Sequence, residues 1–526
     1  MRTSFRTPRA AAVLTAAVGF AAAGCNDKQY LTETPYSSVS TGQFYKTQGD
    51  ALAAVNAAYG GLENGSSGNG NYYGGFFVMT VEFLTEMQTP YLSAGNERSQ
   101  VDNYTFTPSH SYFYATWVSA YDVIKRTNAV IGRVPAIPMD TALRTRIVGE
   151  AKFLRALNYF NLVRMFGGVP LSTTETVALD SLSGPRATAP AVYAQIVTDL
   201  KDAIAVLPKA SAYASSDVGR ASRGAAKTLL AKVYLQRAGT GVSTDVAGDY
   251  QAALAMLTDV DQNEGYSLVA NYGDLFDMQH KVNTEVIFDI QCVRVAGVGC
   301  HLSNQDAPRN SNYGTAQNGS FTAEQPFFDA FKTTDVRRAL TWQLSFTNKA
   351  GATATWDSTQ SASKSYGADT PYMRKFLDIQ STGDDNANYI VLRYADNLLM
   401  ESEILNQLSG PTTPAYAGVN KVRVRAGLPN LVTGLSQAAF KDSVFAQRRL
   451  ELAMEGPNGH FDSQRDWAWA SGCVMANMAL GAANKFKNSK YPKAQTTIDD
   501  HFRLLPIPQR AIDLNTALQG SQNPGY

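Results

Sequence analysis

One stretch limits the folds open to this chain more than any other: Gly149 to Leu171, GEAKFLRALNYFNLVRMFGGVPL. From Glu150 to Phe166 it holds no glycine or proline and a single β-branched residue, Val163, before it meets Gly167-Gly168 with Pro170 just beyond. That is the pattern of a helix closed by a C-terminal glycine cap. Lys152, Arg155, Asn158, Asn161 and Arg164 recur every third residue and so wind around the helix, while Phe153, Leu154, Leu157, Tyr159, Phe160, Leu162 and Phe166 fill the gaps. A helix apolar on nearly every side belongs inside a helical stack. Arg155, Asn158 and Asn161 are then at least partly buried, and because an unpaired buried donor costs roughly 1 to 3 kcal/mol, they are expected to find carboxylates or backbone carbonyls. Their expected role is structural rather than catalytic.

Further helices are expected over Gly49 to Leu62, ending at Gly60-Gly61, and over Trp117 to Val134, which forms an antiparallel pair with Gly149 to Phe166. Val192 to Leu207 and Arg220 to Ala238 make the next pair, followed by Asp249 to Val260. Leu229 to Leu235 resembles the first helix of a tetratricopeptide unit, with Tyr250 and Ala253 in the second, so helix pairs are expected to stack into a superhelix. From about 266 to 390 the character changes. Glu285 to Val293 reads as a strand, and Gly297 to Gln325 and Asn348 to Thr370 are rich in Gly, Ser, Asn and Thr. Helices resume with Arg393 to Leu408, Tyr416 to Ala426 and Ser436 to Glu455. The fold class is therefore mostly α: tetratricopeptide-like repeats over about 41–262 and 391–456 form a superhelical scaffold, packed against an irregular, loop-rich half with a few short strands, and 457–526 close the chain.

The N-terminus points to a compartment. Arg2, Arg6 and Arg9 precede the apolar run Ala10 to Ala23, which falls short of the roughly 20 residues a transmembrane helix needs and has the layout of a secretory signal. Ala22-Ala23-Gly24-Cys25 resembles a bacterial lipobox, which implies cleavage after residue 24, lipidation of Cys25 and a tether over 25–40. Several acyl chains on one cysteine anchor a protein stably without spanning the bilayer. In an oxidising compartment Cys292 and Cys300 are a candidate bridge across a short loop.

Several blocks together resemble one family. Glu150 to Ala156, Tyr159 to Leu162 and Phe166 to Leu171, then Leu392-Arg393-Tyr394-Ala395-Asp396 and Asn420 to Pro429, and finally Leu505 to Gln509 with Gln522 to Tyr526, are similar in wording and order to the SusD/RagB family of outer-membrane nutrient-binding lipoproteins. The segment Tyr30 to Pro35 fits as well, whereas Pro457 to His460 depart from the family pattern. The resemblance implies a cell-surface protein that captures an oligosaccharide or other nutrient and delivers it to a SusC-like TonB-dependent transporter, without catalysis and with no cofactor. The other readings are a lipid-anchored glycoside hydrolase and a tetratricopeptide scaffold that binds protein.

Composition and motifs limit these readings. With 46 basic and 45 acidic residues and no Lys/Arg run, the chain lacks a nucleic-acid footprint. Its histidines, His110, His280, His301, His460 and His501, are scattered, and no metal-binding spacing, nucleophile elbow or phosphate loop is present. Glu451 and Glu455 lie one turn apart on a shared helix face, the spacing of a glycosidase pair, yet Arg448 on the same face makes ion pairing the expected use. Glycan binding needs aromatic faces for sugar C–H surfaces and amides or guanidinium groups for hydroxyls. By the resemblance these come from loops after the first helices and from the irregular part, which points to Tyr72, Tyr73, Tyr91, Asn96, Arg98, Tyr313, Asn318 and Trp356.

Overall fold

The computed structural model describes residues 44–64, 72–85, 87–91, 97–176, 183–295, 299–314, 317–357, 366–380, 384–455 and 500–526. Cys25, the tether expected over 25–40, Asn96 and Cys473 lie outside the described residues.

The scaffold begins with α1 (Gln48–Asn64), α2 (Phe76–Phe83), α3 (Ser111–Arg133) and α4 (Thr141–Phe166). Next come α5 (Ala189–Val206), α6 (Arg223–Gly239) and α7 (Val246–Asn263). Each of α3 to α7 packs against the helix before it, and short links between several of them fold neighbours back antiparallel. The starts are capped as sequence chemistry prescribes. Asp140 accepts from the Leu143 N–H at 2.8 Å, Ser222 from Ala225 and Asp245 from Gly248, each cap contributing about 1 kcal/mol. α4 ends where expected, at Gly167, whose φ of +73° suits glycine. α1 does not end at Gly60-Gly61 but runs on to Asn64. A Cβ on Gly61 would come within 2.8 Å of Val123, so this glycine serves a close crossing with α3 rather than a cap.

After α7 the chain leaves the helical array for residues 264–393 and returns as α8 (Tyr394–Ser409), which packs directly on α7 and α6. α9 (Thr413–Arg425) and α10 (Gln437–Glu451) then pack on α8, so the array continues across the excursion. α10 stops at Glu451, short of the expected Glu455.

The excursion carries all of the short strands except β1, which precedes α3. β1 (Gln88–Pro90), β3 (Phe321–Ala323), β7 (Tyr372–Met373) and β4 (Trp342–Gln343) form an antiparallel sheet in the order β1-β3-β7-β4, with Thr89 opposite Thr322 and Gln343 opposite Tyr372. β5 (Ser345–Thr347) and β6 (Thr353–Thr355) make a hairpin. β2 (Val286–Ile290), shorter than the expected Glu285 to Val293, pairs with β8 (Tyr389–Arg393), and β8 runs straight into α8. One buried apolar cluster runs from α1 through α3 to α10 and into the sheet, so the helical and loop-rich halves share a core.

α4 is buried along nearly its whole second half, and its polar residues are partnered. Arg155 grips both Asp199 oxygens at 2.8 and 2.7 Å and also donates to Asn128 and to the Thr173 carbonyl. Asn158 donates to the Leu154 carbonyl, and Asn161 donates to the hydroxyls of Tyr72 and Tyr73.

Candidate functional site

Glu451 and Glu455 are fully buried and lie in an ion-pair network with Arg337, Arg393, Arg425 and Lys375. Burial alone would raise the Glu451 carboxyl, but Arg425, Arg393 and Arg337 together hold it well below the usual range. An acid locked ionised among three guanidinium groups, away from solvent, has neither a proton to give nor a substrate to reach. The sequence reading is corrected in one respect. Arg448 pairs with Asp396 on α8, not with Glu451, and Lys232 reaches the same Asp396 at 2.5 Å.

Two of the expected ligand contacts are also corrected. Tyr72 and Tyr73 are fully buried, Tyr72 donating to Asn158 at 2.7 Å and Tyr73 accepting from Asn161 at 2.7 Å. Their rings pack on each other and on Phe77. Burial raises both phenols, Tyr73 to about 12. They anchor the residues just before α2 to α4 and offer no face to a ligand.

The remaining described candidates converge on one loop-built face. Phe346, Ala354, Tyr366, Ala368 and Tyr372 form a small cluster apart from the main core, and Tyr91, Tyr313 and Trp356 pack half-buried around its rim. The sheet register brings them together: Tyr91 follows β1, Tyr372 lies in β7, and their ring centres are 5.9 Å apart. Each rim ring is held by its surroundings. The Tyr91 N–H donates to the Ser320 carbonyl at 3.2 Å, the Trp356 indole donates to the Asp369 carbonyl at 3.0 Å, and the Trp356 ring meets Phe328 edge-on at 4.8 Å. Tyr313 accepts from Gln343 at 3.4 Å.

Basic and amide groups edge the same face. Arg98 donates to the Ser320 hydroxyl at 2.6 Å, joining positions 222 residues apart. Asn318 takes part through its backbone, its carbonyl accepting from Arg309 at 3.1 Å and its N–H donating to Asn304. Arg309, which no local sequence pattern singles out, lies with its guanidinium 4.7 Å from the centre of the Tyr91 ring. Half-buried rings held by side-chain hydrogen bonds, as at Tyr313 and Trp356, or by ring packing, as at Tyr91, lose little entropy on contact, and guanidinium and amide groups beside them can donate to hydroxyls. This is chemistry for holding a polyhydroxylated ligand, and among the described residues it includes no nucleophile paired with a base.

Cys292 and Cys300 are joined in a disulfide with Cα atoms 5.5 Å apart, and Asp385 donates its N–H to the Cys300 carbonyl. Among the described residues no three His, Cys, Asp or Glu side chains are grouped to hold a metal, and no helix is long and apolar enough to cross a membrane.

Comparison with known proteins agrees across the chain. Residues 236–526 match the model of the SusD family, and residues 29–235 match a second one described as starch-binding associating with outer membrane. SusD-like protein P2 of Formosa agariphila is 26% identical over 532 aligned residues, covering 96% of this chain and 97% of the relative. A SusD homolog from Bacteroides thetaiotaomicron superposes with a TM-score of 0.77 at 23% identity, over 92% of this chain and 98% of its own. A laminarin-binding SusD-like protein does so with a TM-score of 0.70 at 26% identity, over 92% of this chain and all (100%) of its own. With a family model matching more than half of its length and the tetratricopeptide-like array and loop-rich half both in place, the chain belongs to the SusD family.

Proposed function

We propose that this chain is a glycan-capture lipoprotein of the outer membrane, tethered through Cys25, that holds an oligosaccharide on its loop-built aromatic face and passes it to a SusC-like TonB-dependent transporter without cleaving it. The observation that carries the reading is the convergence of Tyr91, Tyr313 and Trp356 around one cluster, edged by Arg98 and Arg309, in a chain of this family. The laminarin-binding relative supports a β-glucan as the first ligand to try. Burial and ion pairing of Glu451 and Glu455 speak against the glycoside hydrolase reading. The anchor at Cys25 and an exterior-facing orientation rest on the N-terminal pattern and the family.

The test is isothermal titration of the chain starting at Asn26 against a glycan panel that includes laminarin oligosaccharides, with every bound glycan checked for shortened products. Binding with the glycan recovered intact is the expected result. Hydrolysis would overturn the non-catalytic role, and silence across the panel would overturn glycan capture.

A further inference from the structure

A second set of unspent polar groups lies away from the aromatic face, between α1, the segment 210–220 and the outer side of β2. Two adjoining hollows meet there, sharing Val218, Gly219, Arg220, Asp289 and Gln291. The loop that divides them is tightly fitted. Gly219 has φ of +93°, and a Cβ on it would come within 2.8 Å of the Gln291 side chain, so only glycine lets the loop close over this amide.

The hollow on the α1 side, about 300 Å³, is lined by Asn56, Tyr59, Leu62, Glu63 and Ser216 besides the shared residues. Its hydrogen-bonding ledger is uneven. Arg220 is fully committed, donating to Asp217, Glu150 and Asn56, and Lys281 in the neighbouring hollow donates to the Cys292 carbonyl and Asn386. Neither cation is available to an anionic ligand. The Glu63 carboxylate, by contrast, takes no hydrogen bond or ion pair among the described residues, and burial raises it to about 7. Among the described residues Gln291 spends its N–H on Asp289 and keeps its carbonyl oxygen, Asn56 spends its oxygen on Arg220 and keeps its NH₂, and the Ser216 hydroxyl is unspent. Val218, 43% exposed, supplies an apolar wall beside Tyr59 and Leu62.

Acceptors and donors left over in one small hollow, with an apolar wall and no spare cation, match neighbouring hydroxyls that both donate and accept on a ring with C–H faces. We propose that this hollow is a second saccharide site, taking a neutral sugar unit or chain end, with Glu63 and the Gln291 carbonyl accepting from its hydroxyls and Asn56 and Ser216 donating. It rests on the glycan-binding reading above but shares no residue with the aromatic face.

The experiment is isothermal titration of the full chain in detergent with laminarin oligosaccharides, comparing wild type with three variants. Ser216→Trp places a ring from an exposed position into the hollow, Glu63→Gln exchanges an acceptor for a donor, and a Tyr91→Ala/Trp356→Ala double variant removes the aromatic face. Thermal midpoints check that each folds. The expected wild-type isotherm has two phases. Ser216→Trp removes one, Glu63→Gln weakens that same phase roughly tenfold, the effect of about 1.4 kcal/mol, and the double variant removes the other. A single phase that Tyr91→Ala/Trp356→Ala abolishes and Ser216→Trp and Glu63→Gln leave unchanged overturns the second site while glycan capture survives. No binding by any of the proteins overturns both.

Discussion

Replacing Arg155 by Met should be among the most damaging single changes in the scaffold. Arg155 is 4% exposed on α4, and its guanidinium makes both bonds to Asp199, itself 1% exposed on α5, while also serving Asn128 and the Thr173 carbonyl. Methionine fills similar space but leaves the Asp199 carboxylate buried with, among the described residues, only the Gln195 amide donating to it, at 3.1 Å. Removing one member of such a buried pair costs about 3 to 5 kcal/mol. Removing both charges as Arg155→Met/Asp199→Leu abolishes the stranded carboxylate, leaving a cost of about 1 to 3 kcal/mol for the acceptors Asn128 and Thr173. Urea unfolding followed by tryptophan fluorescence reads this directly, since Trp117 on α3 lies 5.2 Å from Phe166 on α4. The double variant should be clearly more stable than Arg155→Met. A single variant within about 1 kcal/mol of wild type, or a double variant no better than the single, would refute the assignment of this pair as a coupled buried ion pair.

Other outcomes follow from the same geometry. Tyr72→Phe, which strips a hydroxyl from Asn158 and Asn161, should lower stability by about 1 to 3 kcal/mol in urea unfolding and leave glycan affinity unchanged; an affinity loss without a stability loss would return Tyr72 to the binding face. Glu451→Gln, which removes the charge facing Arg337, Arg393 and Arg425, should cut the thermal midpoint sharply, and a variant as stable as wild type would contradict the network. Burial raises the Asp385 carboxyl from 3.8 to about 7, with Asp378 and Asp384 adding to it against the Ser303 and Ala387 N–H groups. The folded state therefore holds that proton more tightly than the unfolded chain, so this contribution is full below pH 4 and is lost as pH rises toward about 7. Asp385→Asn should flatten the decline of the thermal midpoint between acid and neutral pH, and an unchanged slope would argue against it. Cys25→Ala should move the protein out of the membrane fraction, and persistence there would count against the lipid anchor.

The scaffold was legible because its signals are local. The unbroken Glu150 to Phe166 run and the cap at Gly167 lie within a few residues of what they control, whereas the caps Asp140 and Ser222 emerge only from the structure. The same locality misled at Gly60-Gly61, which reads as a stop until the crossing with Val123 is known, and at Arg448, whose nearest carboxylate in sequence is not its partner in space. Tyr72 and Tyr73 looked superficial because a Gly/Ser/Asn run precedes them, yet their hydroxyls answer the buried amides of Asn158 and Asn161. The aromatic face was legible only in residue type. Its assembly depends on pairing β1 with β3 and β3 with β7, and no local pattern links Arg98 to Ser320 or Arg309 to Tyr91.

The central claim, that the face around Tyr91, Tyr313 and Trp356 holds the glycan, is tested most directly by measuring the affinity of Tyr91→Ala and Trp356→Ala for the panel's tightest oligosaccharide. Each lost stacking contact should weaken binding about tenfold, with thermal midpoints near wild type. Affinities unchanged in both variants, with the fold intact, would contradict the account and move the search for the glycan elsewhere on the chain.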